Sequence, residues 1–97
     1  MTDFNQLTPA EAERLALLSE ELGETQQAIG KILRNGYESQ HPDGGPTNRK
    51  SLEREIADVL AATRLLYLAE DIDYMTIHDL CEAKLKRVGK YMHHQEN

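Results

Sequence analysis

Apolar residues along this chain recur at helical spacing, and no segment alternates apolar and polar positions as a strand would. Thr8-Pro9-Ala10-Glu11 has the form of a capping box, with Thr8 at the N-cap, Pro9 at N1 and Glu11 at N3. The helix it opens is predicted to run over about 9–34, where Asn35-Gly36 offers a stop. The stretch ESQHPDGGPTN, Glu38 to Asn48, carries two prolines and two glycines and has no apolar period. It reads as a loop over 35–48, and a loop this long in a small domain is more often functional than idle. A second helix is expected over about 49–70. Asp71-Ile72-Asp73 connects it to a third over about 76–92, opened by Thr76 with Asp79 at N3. The tail HHQEN is expected to fray. The chain, 1–97, is expected to form a single all-α domain, an antiparallel helical bundle completed by oligomerisation.

The polar residues that interrupt the pattern are the informative ones. At about 100° per residue, Leu15, Leu18, Leu22, Ile29, Ile32 and Leu33 share one face of the first helix, and Leu17 and Ala28 extend it. Glu21 falls inside that arc, Glu24 at its edge and Glu20 further toward solvent. On the second helix Leu52, Ile56, Val59, Leu60, Thr63, Leu66 and Tyr67 form the corresponding face. Glu55 lies within its arc and Asp58 at its edge. Each helix therefore brings an i, i+3 carboxylate pair to the margin of a face that should pack on the other. Crowded, partly dry carboxylates repel one another and lose hydration. Basic neighbours would offset that, and Arg14, Lys31, Arg34, Arg54 and Arg64 are available. A hard divalent cation, Mg²⁺ or Mn²⁺, would do so with oxygen ligands from both helices. An acidic flank that simply stays solvated is the third reading.

Charge and composition narrow the partners. The formal charge of −6 over 97 residues argues against a general nucleic-acid binder. It leaves room for a phosphorylated ligand bridged by a metal ion. The single cysteine, Cys81, allows no internal disulfide, and no activating arrangement surrounds it. No apolar run reaches the length of a membrane span, and the first residues show no signal-peptide core. A cytoplasmic protein with no membrane partner is the expectation.

Glu20-Glu21-Leu22-Gly23-Glu24, followed after the loop by Glu55-Ile56-Ala57-Asp58, matches an EExxE…ExxD signature. The flanks LSEELGE and LEREIADVLAATRLL agree with it, and from about Leu15 to Leu68 the chain resembles the MazG-like all-α nucleoside triphosphate pyrophosphohydrolases. The gap between the two motifs is longer than that family usually shows, and the extra residues fall in the Gly/Pro loop. They are expected to alter the substrate pocket rather than the metal site.

The resemblance implies a Mg²⁺-dependent enzyme, with Mn²⁺ as an alternative ion, that cleaves a nucleoside triphosphate to the monophosphate and pyrophosphate. It carries Glu21, Glu24, Glu55 and Asp58 over as metal ligands. Glu20 would be a further ligand, or would orient or deprotonate the attacking water, so Glu20 and Glu21 are the catalytic candidates. Family members meet the phosphates with basic and polar residues of the later helices, which points to Lys84 and Arg87, spaced i, i+3. Lys31 and Arg34 are further phosphate candidates. All four also suit ordinary helix ends and solubility. Asn35 and Tyr37, beside the loop, are candidates for base and sugar contact. His41-Pro42 reads better as a turn, and His93-His94 as a solvated terminus.

The second helix is apolar almost all round, with Ala57, Ala61, Leu65 and Leu68 opposite its core face. Three helices cannot bury it, so a homodimer or homotetramer is expected. The alternative to an enzyme is a non-catalytic helical oligomer that binds a nucleotide or a protein partner.

Overall fold

The computed structural model describes residues 5–95, so the N-terminal reading of Met1 to Phe4 and the end of the expected frayed tail, Glu96 and Asn97, lie outside the described residues. Three α-helices and one short 3-10 turn make up the described chain, and no strand occurs among these residues. Helix α1, Pro9–Asn35, opens with the capping box: the Thr8 hydroxyl accepts from the Glu11 backbone N–H, and Glu11 accepts from the Thr8 N–H. Gly36 ends it at a φ of 87°, a conformation that strains any side-chain-bearing residue. Helix α2, Asn48–Leu68, is capped by the Thr47 side chain.

Helix α3 spans Tyr74–Val88, so it starts two residues before the expected Thr76. The reason is Asp73. Its carboxylate accepts from both the backbone N–H and the hydroxyl of Thr76, which makes Asp73 the N-cap and Thr76 the N3 residue. The helix also stops earlier than 92, passing into the 3-10 turn Gly89–Tyr91.

Helices α1 and α2 form an antiparallel hairpin, and the line along which they touch is not the one the apolar pattern suggests. Among the protected positions, Leu18, Glu21, Thr25, Ala28 and Ile32 on α1 and Leu52, Glu55, Val59, Ala62 and Leu66 on α2 trace the line of contact. This alternating three- and four-residue spacing is that of a coiled-coil seam. Small residues sit at its centre. Ala62 is 1% exposed and Ala28 8%. The Thr25 hydroxyl donates to the Glu21 carbonyl at 2.8 Å and stands 3.3 Å from the Glu55 carbonyl, which marks how closely the backbones approach. Small side chains allow that approach, and they draw the contact line toward themselves and away from the larger aliphatic residues.

Those aliphatic residues are consequently left outside. Leu15, Leu22, Ile29 and Leu33 of α1 stand about a quarter-turn from the seam, and so do Ile56 and Leu60 of α2. In an antiparallel pair, the same sense of turn leads to the same side, so they share one apolar face of the hairpin. Leu33 is 82% and Leu60 65% exposed. The opposite sense leads from the seam to Glu24, Lys31 and Asp58.

The open end of the hairpin is tied by one ion pair. Arg14 donates from Nε to Asp71 Oδ2 at 2.6 Å and from Nη2 to Oδ1 at 2.9 Å, a two-pronged contact between largely shielded side chains. That hydrogen bond holds the Asp71 carboxyl below its usual range and the Arg14 guanidinium above its own. Asp71 reaches Arg14 because α2 ends in a Schellman motif: the Asp71 N–H bonds to the Leu66 carbonyl and the Glu70 N–H to the Tyr67 carbonyl, with Glu70 at a φ of 64°. Beyond it α3 leaves the hairpin. No α3 residue is buried, and α3 does not pack along α1 or α2. An edge-to-face contact of Tyr67 and Tyr74, with ring centroids 5.1 Å apart, links its first turn to α2.

Candidate metal centre

The seam that buries Ala28 and Ala62 also carries two glutamates into the middle of the hairpin. Glu21 and Glu55 occupy seam positions, so they are more enclosed than a margin placement would make them. Glu24, one turn on from Glu21, reaches the same point from the solvent side. One carboxylate oxygen from each of Glu21, Glu24 and Glu55 lies within 4.8 Å of the others. Glu21 Oε2 and Glu55 Oε2 are buried and have no hydrogen-bond partner. A buried acceptor without a donor is costly, and here two such oxygens face a third carboxylate.

The crowding shows in the protonation equilibria. Loss of hydration raises the Glu21 carboxyl above its usual range, and the negative charges of Glu24, Asp58, Glu20 and Glu55 raise it further. Glu24 is raised by loss of hydration, by the neighbouring carboxylate of Glu55, and by Asp58. Asp58 is therefore close enough to be felt by both, although it stands outside the tight three-residue set. Glu20 is exposed beside Glu21 on the outer surface of α1.

None of the basic residues that might have relieved this crowding does so. Arg14 is committed to Asp71. Among the described residues no Lys, Arg or His forms an ion pair with Glu21, Glu24, Glu55 or Asp58. What the cluster offers is a set of hard, anionic oxygen donors from two helices, the ligand chemistry of a hard divalent cation rather than of a softer metal.

The cluster opens into a groove of about 310 Å³ lined by Glu24, Gln27, Lys31, Asn48, Ser51 and Glu55. Lys31 lines the groove, and Lys31, Arg34 and Asn35 line the adjoining loop pocket. Tyr37 lines neither. The Arg49 guanidinium lies over its ring, 4.3 Å from the centroid, while Arg49 also pairs with Glu38. Lys84 and Arg87 are on α3, away from the hairpin, so a single chain does not bring them to the carboxylates. Gln40, Asn48 and Ser51 line the loop pocket without a sequence signal that marks them as contact residues, and His41, a candidate contact that the sequence favours as part of a turn, lines it too. The length and Gly/Pro content of the loop were the available signal, but a loop without periodicity does not show which of its side chains turn inward.

No protein-family model matches the chain, and neither a curated protein nor a solved structure matches it. Among the described residues no helix is long and apolar enough to cross a membrane.

Proposed function

We propose that this chain is a Mg²⁺-dependent nucleoside triphosphate pyrophosphohydrolase of the MazG-like kind, cleaving between the α and β phosphates to give a nucleoside monophosphate and pyrophosphate. The observation that carries the reading is the pair of buried, unpartnered oxygens of Glu21 and Glu55, converging with Glu24 beside a groove that carries Lys31. A purely solvated acidic flank would not seat two glutamates on a helix–helix seam.

Glu21, Glu24 and Glu55 would hold the ion, with Asp58 at the rim. When bound, Mg²⁺ supplies neutralisation of phosphate oxygens and a more acidic water. The chain's own side chains do the rest. Lys31 and Arg34 draw the polyphosphate along the groove by charge. Glu20, exposed and next to Glu21, accepts the proton released by the attacking water. The hairpin places the carboxylates before substrate arrives, so their charge is already aimed where it is needed as charge develops on the phosphates.

The working unit is a homodimer or homotetramer. A compact monomer of 11.0 kDa exposes about 5,600 Å², whereas this chain exposes 8168 Å². The excess matches what one partner loses in a large obligate interface. The apolar face of the hairpin and the apolar cleft between α2 and α3, lined by Leu60, Tyr67, Tyr74, Ile77 and Cys81, are the surfaces such an interface would cover. Packing α3 against another copy also provides a route by which Lys84 and Arg87 reach a carboxylate site.

The test is an assay of pyrophosphate and orthophosphate release, measured separately, for ribo- and deoxynucleoside triphosphates with Mg²⁺ and with EDTA. Metal-dependent pyrophosphate release is expected. Folded protein that binds nucleotide but releases no pyrophosphate would replace the enzyme with a nucleotide-binding oligomer.

A further inference from the structure

The two glutamates that carry the buried, unpartnered oxygens are linked once more, through their backbones. Thr25 sits half-buried on the seam, one turn on from Glu21. Its hydroxyl donates to the Glu21 carbonyl at 2.8 Å and reaches the Glu55 carbonyl of the facing helix at 3.3 Å. One proton is thus shared between two acceptors, with the larger share on Glu21. Among the described residues no other side-chain hydrogen bond runs from α1 to α2.

A threonine in mid-helix commonly bonds back to the carbonyl four residues earlier, and that bond alone does little for the helix. Thr63 on α2 has this ordinary form: its hydroxyl donates to the Val59 carbonyl at 2.8 Å and reaches no residue of α1. Thr25 differs because a second carbonyl is within its reach, and because both carbonyls belong to glutamates of the cluster. No other polar tie lies nearby. Arg14, which pairs with Asp71 at the open end of the hairpin, is about three turns away, roughly 16 Å along α1. The bond from Asn48 to the Gly36 carbonyl, at the loop end, lies about as far in the other direction. Thr25 is therefore the polar contact that governs helix separation at the level of the carboxylates.

That separation decides which cation the cluster accepts. Glu21, Glu24 and Glu55 bring oxygens within 4.8 Å of one another from two different helices. A small hard cation, bound at about 2.0–2.1 Å, demands near-ideal octahedral geometry, whereas Ca²⁺, at about 2.3–2.6 Å, accepts looser and less regular oxygen sets. A small change in helix separation is felt by the smaller ion first. We infer that Thr25 is a positioning residue, whose hydroxyl holds α1 and α2 at the spacing that a small divalent cation needs. The inference rests on the reading of the carboxylate cluster as a metal centre and names the residue that tunes it for cation size.

Three substitutions separate this role from packing. Thr25→Val keeps the side-chain shape and removes the donor, Thr25→Ser retains the donor, and Thr63→Val removes the hydroxyl that stays on its own helix. For each chain, Kd for Mg²⁺ and for Ca²⁺ is measured by calorimetry without nucleotide, after circular dichroism has established that it is folded. Thr25→Val is expected to weaken Mg²⁺ about 3–10-fold, the scale of one net hydrogen bond and the lower end of what outer-shell changes cost, and to change Ca²⁺ by less than about 2-fold. Thr25→Ser and Thr63→Val should stay within about 2-fold of wild type for both ions. A loss of packing alone would lower the melting temperature without moving the ratio of the two Kd values. Should Thr25→Val not fold, Thr25→Ala against Thr25→Ser gives the same comparison, since these two differ only in the hydroxyl. A donor-free Thr25 variant with the wild-type ratio, or a Thr63→Val chain with the same shift in ratio, would overturn the inference and leave the metal centre standing. A folded wild-type chain that binds neither ion would overturn both.

Discussion

Replacing one seam carboxylate by its amide should move the metal-free and metal-bound proteins in opposite directions. Glu55→Gln keeps the side-chain volume and one oxygen but removes a charge from a set whose three carboxylates lie within 4.8 Å of one another. Without metal, the substitution relieves repulsion, so the melting temperature should hold or rise. With metal, the wild-type chain gains what ligand linkage provides: at a Mg²⁺ concentration about 100 times Kd, roughly 2.7 kcal/mol. For a domain of 97 residues, at about 4–8 °C per kcal/mol, that is a rise of about 11–22 °C. Losing one of three clustered ligands should weaken binding by about 100-fold, at the upper end of what even outer-shell changes cost. At the same Mg²⁺ concentration the variant then gains about 0.4 kcal/mol, or roughly 2–3 °C. The chain has no tryptophan, so the assay is the thermal loss of helical circular dichroism, run in EDTA and in about 5 mM Mg²⁺. An equal metal-induced rise in wild type and variant, or no rise in either with Mg²⁺ or Mn²⁺, would refute the assignment of this cluster as a metal site.

Stability should depend on pH in two opposed ways. Glu21 and Glu24 titrate above the usual 4.5, so their contribution is fully present below that value and is lost as pH rises through their folded pKa; metal-free protein should therefore melt at a lower temperature at pH 7 than near pH 5, and saturating Mg²⁺ should abolish that decline. Asp71 and Asp73 titrate below 3.8, so their contribution is present above 3.8 and is lost as pH falls through their folded values; an acid melting series should show a second loss there, and Asp71→Asn should remove its share. Leu66, 3% exposed at the seam, should cost about 2–5 kcal/mol as Leu66→Ala in denaturant titration, and a loss under about 1 kcal/mol would contradict its place in the core. Glu70 holds a left-handed backbone conformation at the Schellman position, so Glu70→Gly should stabilise the chain by up to about 1 kcal/mol in the same titration.

Local chemistry made much of the fold legible in the sequence. Thr8, Pro9 and Glu11 specify a helix start from four consecutive residues, because a capping box satisfies its own backbone donors. Asn35-Gly36 specifies its end, because Gly36 takes a backbone conformation that favours glycine. The start of α3 differs from the expected Thr76 for a similarly local reason: Thr76 carries a capping hydroxyl too, and only the folded chain shows that this hydroxyl donates to Asp73 and does not itself cap the helix.

The periodicity also placed Glu21, Glu24, Glu55 and Asp58 near the helix–helix contact, since i, i+3 spacing fixes a shared face whatever lies opposite. It did not place the contact line itself. Hydrophobic periodicity weights Leu and Ile, whereas close helix approach is decided by Ala28, Ala62 and Thr25, whose smallness matters only when a second helix arrives. That choice drew Glu21 and Glu55 into the seam and left Leu15, Leu22, Ile29 and Leu60 outside it. The separation of Lys84 and Arg87 from the carboxylates, the engagement of Tyr37 by Arg49, and the gathering of Gln40, His41 and Asn48 around one pocket were likewise settled in three dimensions. Each depends on contacts between segments distant in sequence or within an aperiodic loop, and no local rule of spacing or capping encodes those contacts.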